Sequence, residues 1–390
     1  MKQEMITYLS TVKDELLKFS HTLHNCCEES YHECNNAKLI SKFLAMNNFN
    51  ITENYLDIKT SFFAQKGDGH PKICFLCEYD SDSNVGDILA TNLRTTMSVG
   101  AAIAIGNSID KIGGSVIVIG CPGELKGGSK SILVKQGAFE DIDTVLTARP
   151  HVVTAESGTS LAVLPIEINY TTKDKYYNNN GFYSSLDACL YTLNGLNVLI
   201  NGYGDSCFIN GISINSPSTP YFSPTLTKIT FYIKAKTMKT LKDVDKKIRI
   251  FVKNTAEIMN VDSEIHLHEL PCEELVSNKV LGRLFSHNLK EAGIINIAPP
   301  RDTHLGMSLG SVSVVVPTIS PFVSVVKDNS IEPYSKAFAE LSVSTEVEEN
   351  LFKTIQALAF TGYDLLARED LIAEAKKELH DYMKNNDVTY

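Results

Sequence analysis

The chain has 390 residues, 43% apolar and 21% charged, with a formal net charge of −10. That length exceeds one simple core and predicts two domains. The acidic balance, without a basic run, excludes a nucleic-acid or anionic-membrane partner, and no apolar stretch reaches the ~20 residues a membrane helix needs. The N-terminal MKQEMITYLSTVKDELLKF is charged from the start and has no signal-peptide core. Nine cysteines lie scattered without a framework spacing. They are read as reduced thiols of a cytoplasmic protein, and Cys74 and Cys77, inside KICFLCEY, as buried small hydrophobes.

In chain order, Met5, Leu9, Val12, Leu16 and Leu17 predict a helix over 3–24, and Ile40, Phe43 and Leu44 another over 36–47. PKICFLCEY is a continuous apolar run, as expected of a buried central strand. MSVGAAIAIGNSI (97–109) is small-residue helix. GGSVIVIGCP (113–122) and DTVLTA (143–148) are further strands, and the alternation predicts an α/β layered domain with a mostly parallel sheet. From SLAVLPIEINY the character changes. Helix 184–200 is followed by strand-like CFINGISI and TKITFYIKAKTM, helix LKDVDKKIRIFVKNTAEIM and strand-like EIHLHEL. That βαββαβ order is a ferredoxin-like unit. From about 275 the first style returns, with helix NKVLGRLFSHNLKEAG, strand SVSVVVPT and a helical tail from Glu346. The expected organisation is therefore one discontinuous domain, 1–163 and 275–390, with 164–274 inserted.

Several motifs in this order resemble peptidase family M-20, the zinc-dependent amidohydrolases that include aminoacylases, aminobenzoyl-glutamate hydrolases and dipeptidases. HTLHNCCEESYHECNNAKLISKFL matches the family's leading signature, with Glu28 and Glu33 at its acidic places and Cys27 in place of a proline. CEYDSDSNVGDILATN aligns without a gap with E-Y-D-A-L-P-x-x-G-H-A-C-G-H-N. GCPGELKGGSK is similar to G-x-P-A-E-E-G-G-G-G-K, TARPHV falls at A-H-P, and TISPF resembles I-H-P-x. The resemblance implies a layered zinc-peptidase-like α/β domain with an inserted α+β lid and dimerisation domain. It implies a homodimer through the insertion, or a mixed dimer with an active homologue.

The family holds two zinc or manganese ions with five side chains. Carried over one at a time, those positions are Leu89, Thr91, Leu125, Arg149 and Ser320. Leucine has no donor atom, arginine carries a fixed positive charge, and neutral hydroxyls are weak ligands for such ions. The resemblance therefore predicts a metal-free pseudoenzyme with no cofactor. Glu124 stands at the general-base place. In the family the metals lower the pKa of a bridging water to about 7, whereas a base alone contributes roughly 10²–10⁴-fold. Asp80 keeps the E-Y-D aspartate and is expected beside Arg149 or backbone. Tyr176 replaces an oxyanion-stabilising histidine, and Tyr221 an asparagine that faces substrate.

The functional expectation is a protein that binds a small carboxylate, such as an N-acyl amino acid or dipeptide, through Arg149, Lys126 and Lys130. The alternative is a working amidohydrolase with a relocated metal or none. DSDSNVGD approaches a calcium loop, but Gly86 comes one place late and Thr91 is no bidentate glutamate. Asp80, Asp82, Asp87, His151 and His304 are the residues from which another site could be rebuilt. No G-x-S-x-G elbow is present, and the S-x-x-K matches at Ser10 and Ser324 are read as chance. GELKGGSK lacks phosphate-loop spacing.

Overall fold

A computed structural model describes residues 1–82, 84–172, 182–217, 221–327 and 331–386. The chain divides into two compact units, one of Met1–Thr159, Leu275–Thr303 and Ser311–Tyr390, the other of Ser160–Glu274 and His304–Gly310. The short stretch 304–310, which the sequence reading leaves in the first unit, belongs to the second. There, Leu161 donates its N–H to the Leu305 carbonyl and bridges Gly306.

The first unit is built on a six-stranded sheet in the order Asn50–Glu53, Phe62–Asp68, Gly114–Gly120, Lys72–Cys77, Thr144–Leu146, Thr318–Ile319. The last four strands run parallel and the first two pair antiparallel, so the sheet is mostly parallel with an antiparallel edge. Lys72–Cys77 and Gly114–Gly120 are apolar along their length because both faces are covered. Cys74 and Cys77 are fully buried there, and burial raises both thiols well above the usual value. All nine cysteines are free.

Helix Thr91–Gly106 is buried through its whole length and packs against helix Glu348–Ala367. Its small residues allow the approach. A Cβ on Gly362 of the second helix would fall 2.5 Å from Ile105 Cδ1. The N-terminal helix expected over 3–24 is two helices, Lys2–Thr11 and Lys13–Asn25, and the tail is also two, Glu348–Ala367 and Glu369–Asn385. SVSVVVPT is not a strand throughout. Leu309–Ser313 is helical, and only Thr318–Ile319 pairs. Leu309, Val312 and Val316 are all buried at helical spacing, and an apolar run covered on every side carries no period that separates helix from strand. A second, four-stranded sheet, Ala298–Arg301, Ala155–Ser157, Phe322–Ser324 and Arg149–His151, has strands of three or four residues that leave no alternation to read.

The second unit is the βαββαβ fold. Its antiparallel sheet runs Asp262–Leu267, Ala162–Thr171, Leu226–Ala235, Cys207–Asn215, with helices Ser185–Asn201 and Met238–Met259 packed on it. In Leu226–Ala235, Thr227, Ile229, Phe231, Ile233 and Ala235 are buried in strict alternation. No helix among the described residues is long and apolar enough to cross a membrane.

At one end of the larger sheet a charged clamp ties the C-terminal helix down. Asp143 accepts from the Lys72 backbone N–H at 2.7 Å and pairs with His70 Nδ1 at 2.7 Å and with Lys376. Asp141 holds His70 Nε2 at 3.0 Å and also Lys72. The hydrogen bond to Asp143 lifts the His70 imidazole above its ordinary value, despite slight desolvation. A raised folded pKa adds stability that is complete below the unfolded value of about 6.5 and disappears as pH rises through the folded value. His70→Gln is therefore expected to destabilise at pH 5.5 and to match the parent at pH 8.5. Urea melts at the two pH values check this, and an equal gap at both would contradict it.

Candidate functional site

The motifs with family resemblance converge in the first unit, at the ends of the parallel strands. Strand Lys72–Cys77 delivers Glu78, Tyr79 and Asp80. Strand Gly114–Gly120 delivers the loop with Glu124, and the short helix Lys130–Lys135 starts with Lys130. Helix Thr91–Gly106 brings in Arg94 and the smaller sheet brings in Arg149.

At the centre is a buried ion network. Lys130 is 0% exposed, and its Nζ lies 2.6 Å from Glu78 Oε1 and 2.7 Å from Glu124 Oε2. Arg94, also buried, pairs with the other oxygen of Glu78. Arg149 donates from Nε to Ser320 Oγ at 2.9 Å, so two residues that the resemblance sets at ligand positions hold each other. Burial, then the neighbouring Arg149, pushes the Arg94 guanidinium down to about 9, with Glu124 and Tyr334 acting in opposition. Burial also lowers Arg149, again against Glu124 and Tyr334.

Asp80 is fully buried and takes the backbone alternative, together with a hydroxyl, rather than Arg149. Its Oδ2 accepts from Ser30 Oγ at 2.7 Å and from the Leu125 N–H at 2.8 Å, not from Arg149. Burial raises its carboxyl above the usual range in spite of those two donors. Leu125 thus contributes its backbone, while its side chain faces outward at 43% exposure. Thr91 is buried and donates weakly to the Asp80 carbonyl at 3.4 Å, and Leu89 is half-buried.

The acidic loop spends its other carboxylates on backbone. Asp87 accepts from the N–H groups of Thr91 and Asn92 at 2.8 and 3.0 Å, capping the long buried helix. Asp82 accepts from Asn84 and Val85. The leading signature is likewise structural. Glu28 accepts from the N–H groups of Asn35 and Asn36 at the start of helix Cys34–Met46. Glu33 accepts from Tyr31, Gly123 and Thr60. Gly123 itself has φ +79, and a Cβ there would meet the Tyr31 ring at 2.4 Å, which is why only glycine fits between the two motifs.

Of the residues expected to meet a ligand, Lys130 is occupied by two carboxylates, which corrects its assignment as an anion contact. Lys126 is exposed and lies 3.9 Å from Glu29. Tyr176 lies outside the described residues. Tyr221, in the second unit, is 84% exposed. His151 is buried in the smaller sheet. Its Nδ1 accepts from the Val153 N–H at 3.1 Å, and burial, aided by Arg301, holds it down to about 4. His304 belongs to the second unit, its ring 6.4 Å from that of Phe208. Among the described residues no three His, Cys, Asp or Glu side chains are grouped to share a metal ion. The sequence reading missed Glu78, Arg94 and Tyr334. Arg94 carried a signal, as the one charged residue of a helix otherwise small, hydroxylic or apolar.

Together the mixed sheet, the βαββαβ insertion and the converging loops define a layered α/β peptidase-type fold. No family model matches the chain. It is 28% identical over 330 residues to the Xaa-Arg dipeptidase of Mus musculus, covering 79% of this chain and 73% of that one. In structure it resembles the aminobenzoyl-glutamate utilization protein of Klebsiella pneumoniae, with a TM-score of 0.73, 10% identity and 92% and 98% of the two chains covered. It also resembles the Bacillus subtilis YXEP protein, a dinuclear metal-binding peptidase of the M20 family, with a TM-score of 0.62, 13% identity and 90% and 99% coverage. The fold is that of the M20 peptidases and amidohydrolases, and the sequence is similar to that of a dipeptidase.

Proposed function

We propose that this M20 chain holds no divalent ions and binds a small carboxylate, of dipeptide or N-acyl amino acid type, without hydrolysing it. The observation that carries this reading is the set of three buried cations, Lys130, Arg94 and Arg149, among Glu78, Glu124 and Asp80. A metal pair would have to share that pocket with fixed positive charge, and no imidazole stands at any of the five family positions. Those residues do not fit the ions. Glu124 is tied to Lys130, and without an activated water a general base alone falls short of the roughly 10⁶-fold acceleration at which enzymes begin. The mouse relative's name, Xaa-Arg dipeptidase, supports a dipeptide-like ligand.

A homodimer through the second unit belongs to the same reading. Among the described residues, strand Cys207–Asn215 pairs on one side only, and it carries Ile212 at 52% exposure.

The test is elemental analysis of untagged protein, with turnover assays on Xaa-Arg dipeptides and N-acyl amino acids in the presence of zinc or manganese. Near-zero metal and no turnover are expected, alongside a ligand-induced rise in melting temperature. One or two tightly held ions per chain, with turnover that Glu124→Gln abolishes, would establish the working amidohydrolase instead.

A further inference from the structure

One cation of the buried cluster has no carboxylate among the described residues within ion-pair distance. Arg94 is matched by Glu78, and Lys130 by Glu78 and Glu124. Arg149 is only 8% exposed, yet no carboxylate among the described residues forms an ion pair with it. Its Nε is spent on the neutral Ser320 hydroxyl, and its Nη2 has no hydrogen-bond partner. Ser320 is itself held, donating its N–H to Ser157 Oγ at 2.9 Å. A guanidinium buried without a direct ion pair is costly, and its planar fork suits a carboxylate.

A second feature sits beside it. Tyr334 adopts φ +64, a left-handed conformation unusual for a bulky residue, and is half-buried. Such a conformation persists where the surroundings impose it. Here Ser335 Oγ donates to the Glu332 carbonyl and also caps helix Lys336–Leu341 by accepting from the Phe338 N–H. The turn so fixed sets the Tyr334 ring 6.1 Å from that of His151, on the strand that Arg149 begins.

We propose that Arg149 and Ser320 anchor the carboxylate of the bound molecule, with the Tyr334 phenol as a further hydrogen-bond donor to it. A place that the family resemblance assigns to cations thus receives an anion. This rests on the binding reading above and adds to it the residues that hold the carboxylate and where it sits.

The experiment compares N-acetylglycine with its neutral amide, N-acetylglycinamide, by calorimetry and thermal shift. The parent protein is expected to bind the acid at least tenfold more tightly than the amide. Arg149→Met is expected to abolish that preference and, without ligand, to melt higher, because a charge buried without a direct ion pair has been removed. Arg149→Lys retains part of the preference, and Tyr334→Phe weakens the acid alone. Equal binding of acid and amide, no binding of the acid, or a preference that survives Arg149→Met would each overturn the anchor. The parent comparison decides even if a variant fails to fold. Metal-dependent turnover would overturn the proposed function without touching the acid-over-amide preference. Loss of that preference would leave the dipeptide-binding reading to its own assay.

Discussion

Lys130→Met is expected to destabilise the first unit by about 3–5 kcal/mol, lowering its melting temperature by roughly 10 °C. The ammonium lies between Glu78 and Glu124 at 2.6 and 2.7 Å and is wholly shielded from water. Methionine fills nearly the same volume, so packing changes little, and the loss is electrostatic. Two buried carboxylates are left without the cation between them, and Arg94 can compensate only the one it already touches. Adding Glu124→Gln should recover part of the loss, since it removes one of the two charges left beside the missing ammonium. Urea or thermal melts of the single and double variants measure both effects. A neutral Lys130→Met would mean that the network contributes nothing to holding the loops together.

Acidification should destabilise the protein strongly through His151. The ring is held neutral, down to about 4 against an unfolded value of about 6.5. A lowered folded pKa means stability that is present above pH 6.5 and lost as pH falls through about 4. The difference corresponds to about 3 kcal/mol at full loss. The local geometry agrees with the sign. Nδ1 must keep its lone pair to accept from the Val153 N–H, and protonation removes that acceptor. Phe322, its ring 4.8 Å away, offers no counter-charge. His151→Asn keeps an acceptor but does not titrate, so its stability should fall less between pH 6.5 and 4 than the parent's. Parallel curves for the two proteins would show that another group controls the acid transition.

The long elements were legible because each buries one continuous pattern. The alternation in Leu226–Ala235, the apolar runs of Lys72–Cys77 and Gly114–Gly120, and the βαββαβ order follow from periodicity alone. The smaller sheet was not legible, since three-residue strands such as Arg149–His151 have no period. Nor was the helical turn at Leu309–Ser313, buried on every side.

For the site, the amino-acid sequence by itself determined which residues the family resemblance sets at the metal positions: Leu89, Thr91, Leu125, Arg149 and Ser320. Side-chain chemistry follows directly from residue identity, so that much needs no coordinates. Only the tertiary structure decided what those changes were combined with. It brought Glu78, Arg94, Glu124 and Lys130 together from separate segments into one charge-matched cluster. It gave Asp80 to Ser30 and the Leu125 backbone rather than to Arg149, and left Arg149 buried without a carboxylate. The physical reason is that ion pairing and desolvation depend on distances of a few ångströms and on exclusion of water. Residues as far apart in the chain as Glu78 and Lys130, or Arg149 and Ser320, acquire those distances only when the sheets assemble.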